Sequence, residues 1–119
     1  MWIIDSGASQ HLCNSKETFI KGTYQPNSYR GIKIADGSRI EAIGKGDIHI
    51  GAPRLTGVLH VLQVGGNLLS VGRLIDCGYG VSFEGKPCTI SQDAIRLLGK
   101  QEGNLYYLGK PNAHEQARM

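Results

Sequence analysis

Proline and aromatic residues are scarce in this chain, and no long apolar run occurs. Only 4 prolines stand against 17 glycines in 119 residues, a profile of tight turns between short strands. Disorder would need fewer Ile, Leu and Val and a larger charge imbalance than the net +3 found here. Aromatics make up 7%, and Lys16, Lys21, Arg30, Lys33, Arg39, Lys45 and Arg54 are dispersed. That leaves neither a stacking platform nor a phosphate-tracking groove, so no direct nucleic-acid partner is expected. Cysteine is limited to Cys13, Cys77 and Cys88, an odd count without a Cys-x-x-Cys pair. A disulfide framework and a thiolate zinc site are thereby disfavoured, and buried free thiols in a reducing compartment are expected. The histidines His49, His60 and His114 show no metal spacing, so neither metal nor cofactor is expected. No segment is long and apolar enough to span a bilayer, so no membrane partner is expected. Asp5 interrupts the opening apolar residues too early for a secretory leader. The length suits one domain with one core.

What is present is alternation broken by glycine. Trp2 to Ile4 reads as a short apolar strand, followed by the turn Asp-Ser-Gly-Ala-Ser. His11 to Phe19 reads as a polar connection ending in an aromatic anchor. Residues 31–35 and 39–43 flank Asp36-Gly37-Ser38, a strong hairpin signal. Further strands are expected at 47–50, 57–64, 80–83, 88–91, 93–97 and 104–108, and His49 and His60 are expected on strand surfaces. From Ser70 onward Val71, Leu74 and Ile75 follow helical spacing; Ser70 can cap and Gly78 can terminate a helix near 70–77. The expected fold is all-β, a small closed or semi-closed barrel with one short helix. One domain over 1–110 and a polar tail over 111–119 are expected.

Asp5 and its neighbours admit three readings. Asp-Ser-Gly is common turn chemistry. However, Asp5 follows an apolar strand directly, and Ala8 and Ser9 keep bulk away from it. A serine nucleophile lacks the Gly-x-Ser-x-Gly elbow, and His11 is near Ser6 only in sequence. A carboxylate that activates water is the third reading. It needs a second carboxylate with which to share a proton, and a chain of this length supplies that only through a symmetric dimer.

The segments IIDSGASQHL, the Asp-Gly hairpin and GVLHVLQVGGNLLSVGRLIDCGYGVSFEGKPCTI together resemble the protease region of copia-type LTR retrotransposon Gag-Pol polyproteins. These are retropepsin-like aspartic proteases, and the resemblance runs from about Trp2 to about Leu108. LYYLG is similar to the segment that precedes integrase in such polyproteins, which places the integrase region after the tail. The resemblance implies a retropepsin-type barrel and an aspartic endopeptidase that acts on its own polyprotein. Its partners would be a second copy of itself and the polypeptide substrate, inside cytoplasmic virus-like particles.

Position by position, the resemblance makes Asp5 the catalytic acid. Ser6 would bond across the dimer axis, Gly7 would permit the tight turn, and Ala8 would line the cleft. Ala35, Asp36, Gly37 and Ser38 would form the flap. Leu68, Leu69 and Ser70 would support the active-site loop. Ser70 stands where retropepsins usually carry glycine, and Leu62 where this pattern often carries proline. Only four residues precede Asp5. The resemblance therefore implies an open edge on the first strand, met in part by C-terminal strands. The rival expectation is a non-catalytic barrel remnant that serves as a structural or peptide-binding module.

Overall fold

Period-two alternation becomes ten strands, one short α-helix and a single 3-10 turn (Lys16–Thr18) in the computed structural model of the chain, which describes residues 2–33, 37–62, 64–84 and 88–109. The strands are β1 (Trp2–Asp5), β2 (Leu12–Cys13), β3 (Gln25–Lys33), β4 (Arg39–His49), β5 (Arg54–His60), β6 (Asn67–Ser70), β7 (Gly80–Ser82), β8 (Cys88–Gln92), β9 (Ile95–Glu102) and β10 (Leu105–Leu108). The helix α1 covers Val71–Asp76. They form one sheet in the order β3-β4-β5-β2-β6-β1-β10-β9-β8-β7. The sheet curls around its core without β3 meeting β7, so the fold is an all-β, semi-closed barrel.

Strand β4 shows how the sequence builds this. Ala42, Gly44, Gly46 and Ile48 face inward, while Glu41, Ile43, Lys45 and His49 face solvent. The two inward glycines are notches. A Cβ on Gly44 would collide with the Tyr24 ring, and one on Gly46 would sit 2.8 Å from the Phe19 ring. Glycine lets both rings approach the strand backbone this closely, where they meet each other edge to face at 5.1 Å. Phe19 is thereby buried and bridges to Ile48, so the expected aromatic anchor is present.

The main core joins Trp2, Ile4, Phe19, Ile48, Leu55, Leu69, Leu74 and Ile90 among others. Each such side chain, fully buried, contributes roughly 1.5–3 kcal/mol. A second cluster places Leu12, Ala42, Leu59 and Val61 together. Helix α1 begins at Ser70, whose side chain accepts the Arg73 N–H, and buries Val71 and Leu74. It ends as the Gly78 N–H bonds the Ile75 carbonyl and the Tyr79 N–H bonds the Leu74 carbonyl. This double closure needs the left-handed φ of +93° at Gly78, the role expected of that glycine.

Several boundaries differ from the expectation. Residues 39–43 and 47–50 belong to a single strand, because Gly44 and Gly46 serve packing instead of a turn. Strand β3 starts at Gln25, well before residue 31, as an edge strand whose register shifts tolerate Pro26. Strand β5 starts earlier and ends at His60. Asn67–Ser70 is a strand where none was expected. Strand β9 begins only at Ile95, because Asp93 takes a positive φ of 52° in the turn before it. His49 is exposed as expected, but His60 is buried. Cys13 and Cys88 are buried free thiols, whereas Cys77 is exposed beyond the helix end. The tail over 111–119 lies outside the described residues.

Candidate active site

Asp5 ends β1, a strand held on both sides. On one edge β6 runs parallel to it, with Asp5 in register with Ser70. On the other edge β10 runs antiparallel, pairing Ile4 with Tyr106. The edge expected to be open, or met in part by C-terminal strands, is therefore closed by β10. Trp2 and Ile4 anchor β1 in the core, and the chain leaves the sheet at Asp5. The Gly7 N–H donates to Asp5 Oδ1 at 2.8 Å, closing a short side-chain turn. Ser6 and Gly7 are exposed at its tip, while Asp5 and Ala8 are half-buried.

The loop that follows is tied back to one residue. Ser70 is fully buried. Its hydroxyl donates to the Ala8 carbonyl at 2.6 Å and accepts the Arg73 N–H at 3.1 Å. Its own N–H donates to His11 Nδ1 at 2.9 Å. Asp5, Ala8 and His11 thus all meet Ser70, by register, hydroxyl and amide respectively. The His11 carbonyl accepts the Leu59 N–H at 3.0 Å, which fixes the far end of the loop to β5. A glycine at position 70 would supply the amide but neither hydroxyl bond.

His11 is 3% exposed. Burial, with the Arg73 guanidinium adding to it, pushes its imidazole down to about 4. The ring is therefore neutral near pH 7, with Nδ1 free of a proton as the Ser70 bond requires. Local sequence context makes His11 a residue that bonds its near neighbours. Its partner instead lies 59 residues away. The available signal is His11-Leu12-Cys13, which follows the polar loop and is buried throughout.

His60 faces the barrel interior against the Phe19 and Tyr24 rings. Its Nδ1 shares a 2.7 Å bond with the Tyr24 hydroxyl, and its Nε2 has no partner among the described residues. Burial and then nearby Lys16 lower its pKa, while the Asn14 backbone and Glu17 act in the opposite direction. Burial raises the Tyr24 hydroxyl and the Cys88 thiol.

A groove of about 450 Å³ opens beside Asp5 and Ser6, walled by Ile4, Phe83, Leu105 and Tyr106. Phe83 and Tyr106 meet edge to face at 5.0 Å, giving the wall a rigid aromatic corner. No local pattern marks Phe83, Leu105 or Tyr106 as wall residues, because they follow the helix by the turns of a separate meander.

The other expected positions divide. Leu69 is fully buried in the main core and Leu68, half-buried, packs against the second cluster, while Ser70 is the residue that bonds the loop. The β3–β4 hairpin is present, pairing Ile32 with Ile40 and Lys33 with Arg39. At its tip Gly37 takes a φ of +88°, and Gly37 and Ser38 are exposed. Ala35 and Asp36 lie outside the described residues. Among the described residues, no three His, Cys, Asp or Glu side chains gather as a metal site.

A family model described as Pol polyprotein, beta-barrel domain, matches residues 2–79. No solved structure matches the chain.

Proposed function

From the premise that the chain belongs to the family of Pol polyprotein beta-barrel domains, we propose that it is an aspartic endopeptidase that acts as a homodimer on its own polyprotein. The observation that carries this reading is the placement of Asp5. A small acid ends a buried strand, its turn is exposed, and the loop behind it is bonded to a fully buried serine. That arrangement holds a carboxylate rigidly while leaving its front accessible.

In the dimer two Asp5 carboxylates face each other across the two-fold axis. Like charges about 3 Å apart cannot both ionise, so the pair shares one proton. The ionised member removes a proton from water as the oxygen attacks the peptide carbonyl. The protonated member hydrogen-bonds the developing oxyanion, and a proton then passes to the leaving amine. No covalent intermediate forms. Ser6 tethers the two loops across the axis. The substrate lies as an extended strand, with one apolar side chain toward the groove of Phe83, Leu105 and Tyr106, under the β3–β4 hairpin as flap.

One observation favours a second reading, a non-catalytic peptide-binding barrel. Both edges of β1 are occupied by the chain's own strands, so no partner is needed to complete the sheet. The two readings separate in one experiment. A polyprotein precursor containing this domain is purified with and without Asp5→Asn and incubated at about pH 5 and 7 over a range of concentrations. The peptidase reading expects cleavage that rises with concentration and vanishes in Asp5→Asn. A folded monomer that leaves both precursors intact would favour the binding module.

A further inference from the structure

We infer that His11 is a positioning residue for Asp5, acting through the main chain of Ser70. The inference rests on the peptidase reading above and adds a residue to it. The loop from Asp5 to His11 is pinned to Ser70 by the ladder at Asp5, the hydroxyl bond at Ala8 and the imidazole bond at His11. Without the third, the Ser70 N–H is a buried donor without an acceptor, at the place where β6 turns into α1. Ser70 would then seek a partner by shifting, and its hydroxyl would carry Ala8 and the Asp5 turn with it. The imidazole suits this task because its Nδ1 acceptor sits on a rigid ring, buried at the loop's end. A ring 3% exposed does not reach a bound peptide, so its influence on cleavage is through geometry alone.

Acceptor position distinguishes this role from bulk packing. Asparagine places an amide oxygen close to where Nδ1 lies. Glutamine carries its amide further out, near the Nε2 position, beyond reach of the Ser70 N–H. Wild type, His11→Asn, His11→Gln and His11→Leu are compared in the full chain. One readout is kcat and KM on a peptide spanning a processing site. The other is amide hydrogen exchange at Ser70 and Gly7, with β4 amides as the control for global folding.

Expected for His11→Gln and His11→Leu is a fall in kcat of about 100-fold with KM within about twofold, as for a misplaced catalytic group. Exchange should quicken at Ser70 and Gly7 while β4 stays protected. His11→Asn should restore both readouts. If His11→Asn and His11→Gln behave alike in folded protein, or if His11→Leu leaves Ser70 exchange unchanged, the inference is wrong. Wild type that cleaves nothing would sink the peptidase reading instead, and the exchange comparison would still decide whether His11 holds the loop. Should His11→Leu fail to fold, the difference between the Asn and Gln variants decides the question alone.

Discussion

Protonating His11 perturbs the Asp5 loop without changing the covalent chain, and its cost follows from the structure. The folded imidazole is held down to about 4, because it is buried and, secondly, because the positive charge of Arg73 disfavours its protonation. The unfolded imidazole titrates near 6.5. As pH falls the unfolded state therefore takes up its proton first. The stability that the neutral ring contributes is fully present above about pH 6.5 and is lost as pH falls toward the folded value. The gap amounts to about 2 kcal/mol at pH 5 and about 3 kcal/mol at pH 4. Against a total stability of roughly 5–15 kcal/mol, that is enough to see. His60, whose pKa is also lowered, acts in the same direction. A comparison with His11→Asn removes that contribution along with those of the carboxylates. Urea unfolding of wild type and His11→Asn at pH 7.5, 6, 5 and 4 is the assay. The stability difference should move by about 3 kcal/mol in favour of the variant across that range. Curves that stay parallel would refute a buried neutral His11 and the bond it makes to Ser70.

Other outcomes follow from packing and exposure. Leu69→Ala empties a site with 0% exposure in the main core beside Ile4, and should cost about 2–5 kcal/mol in chemical denaturation. Gly44→Ala forces the Tyr24 ring off β4 and strains its bond to His60, with an expected loss of about 1–3 kcal/mol by the same measurement. A thiol reagent should label Cys77 rapidly in the native protein, and Cys13 and Cys88 only on unfolding, which mass spectrometry can resolve by site. On the peptidase reading, replacing Leu105 or Phe83 by Ser should change which apolar residues are accepted beside the cut, with folding intact, as read from cleavage of a peptide library.

The sequence made the local parts of this fold legible. Alternation in β1, the Asp-Gly signal of the β3–β4 hairpin, and the Ser70 and Gly78 ends of α1 each depend on neighbours a few residues apart. Legibility failed where a residue answers to a distant one. Gly44 and Gly46 look like a turn until Phe19 and Tyr24 are seen lying against them. His60 looks like an outward strand position until the same aromatic pair encloses it. Asn67–Ser70 blends into the helical spacing beyond it, because its strand character comes from pairing with β1 and β2. Asp5 stands out as a candidate from its own context. The residue that fixes its loop does not, since a contact spanning 59 residues leaves no mark in local pattern.

The family match stops at Tyr79, yet the core does not. Cys88 and Ile90, both at 0% exposure, share a cluster with Trp2 and Ile4, the residues that anchor the Asp5 strand. Strand β10 occupies the edge of β1 opposite β6. The meander β7–β10 is therefore structural support for the candidate site. It also limits how two copies can meet. With both edges of β1 taken, neither copy can extend the other's sheet there, so on the peptidase reading the Asp5 carboxylates must approach through the exposed Ser6–Gly7 turns. The Phe83–Tyr106 corner beside that turn is built entirely from residues beyond the match. Side-chain preference at the cut would thus be set outside the segment that carries Asp5, and could change in evolution while the acid and its Ser70 anchor stay fixed.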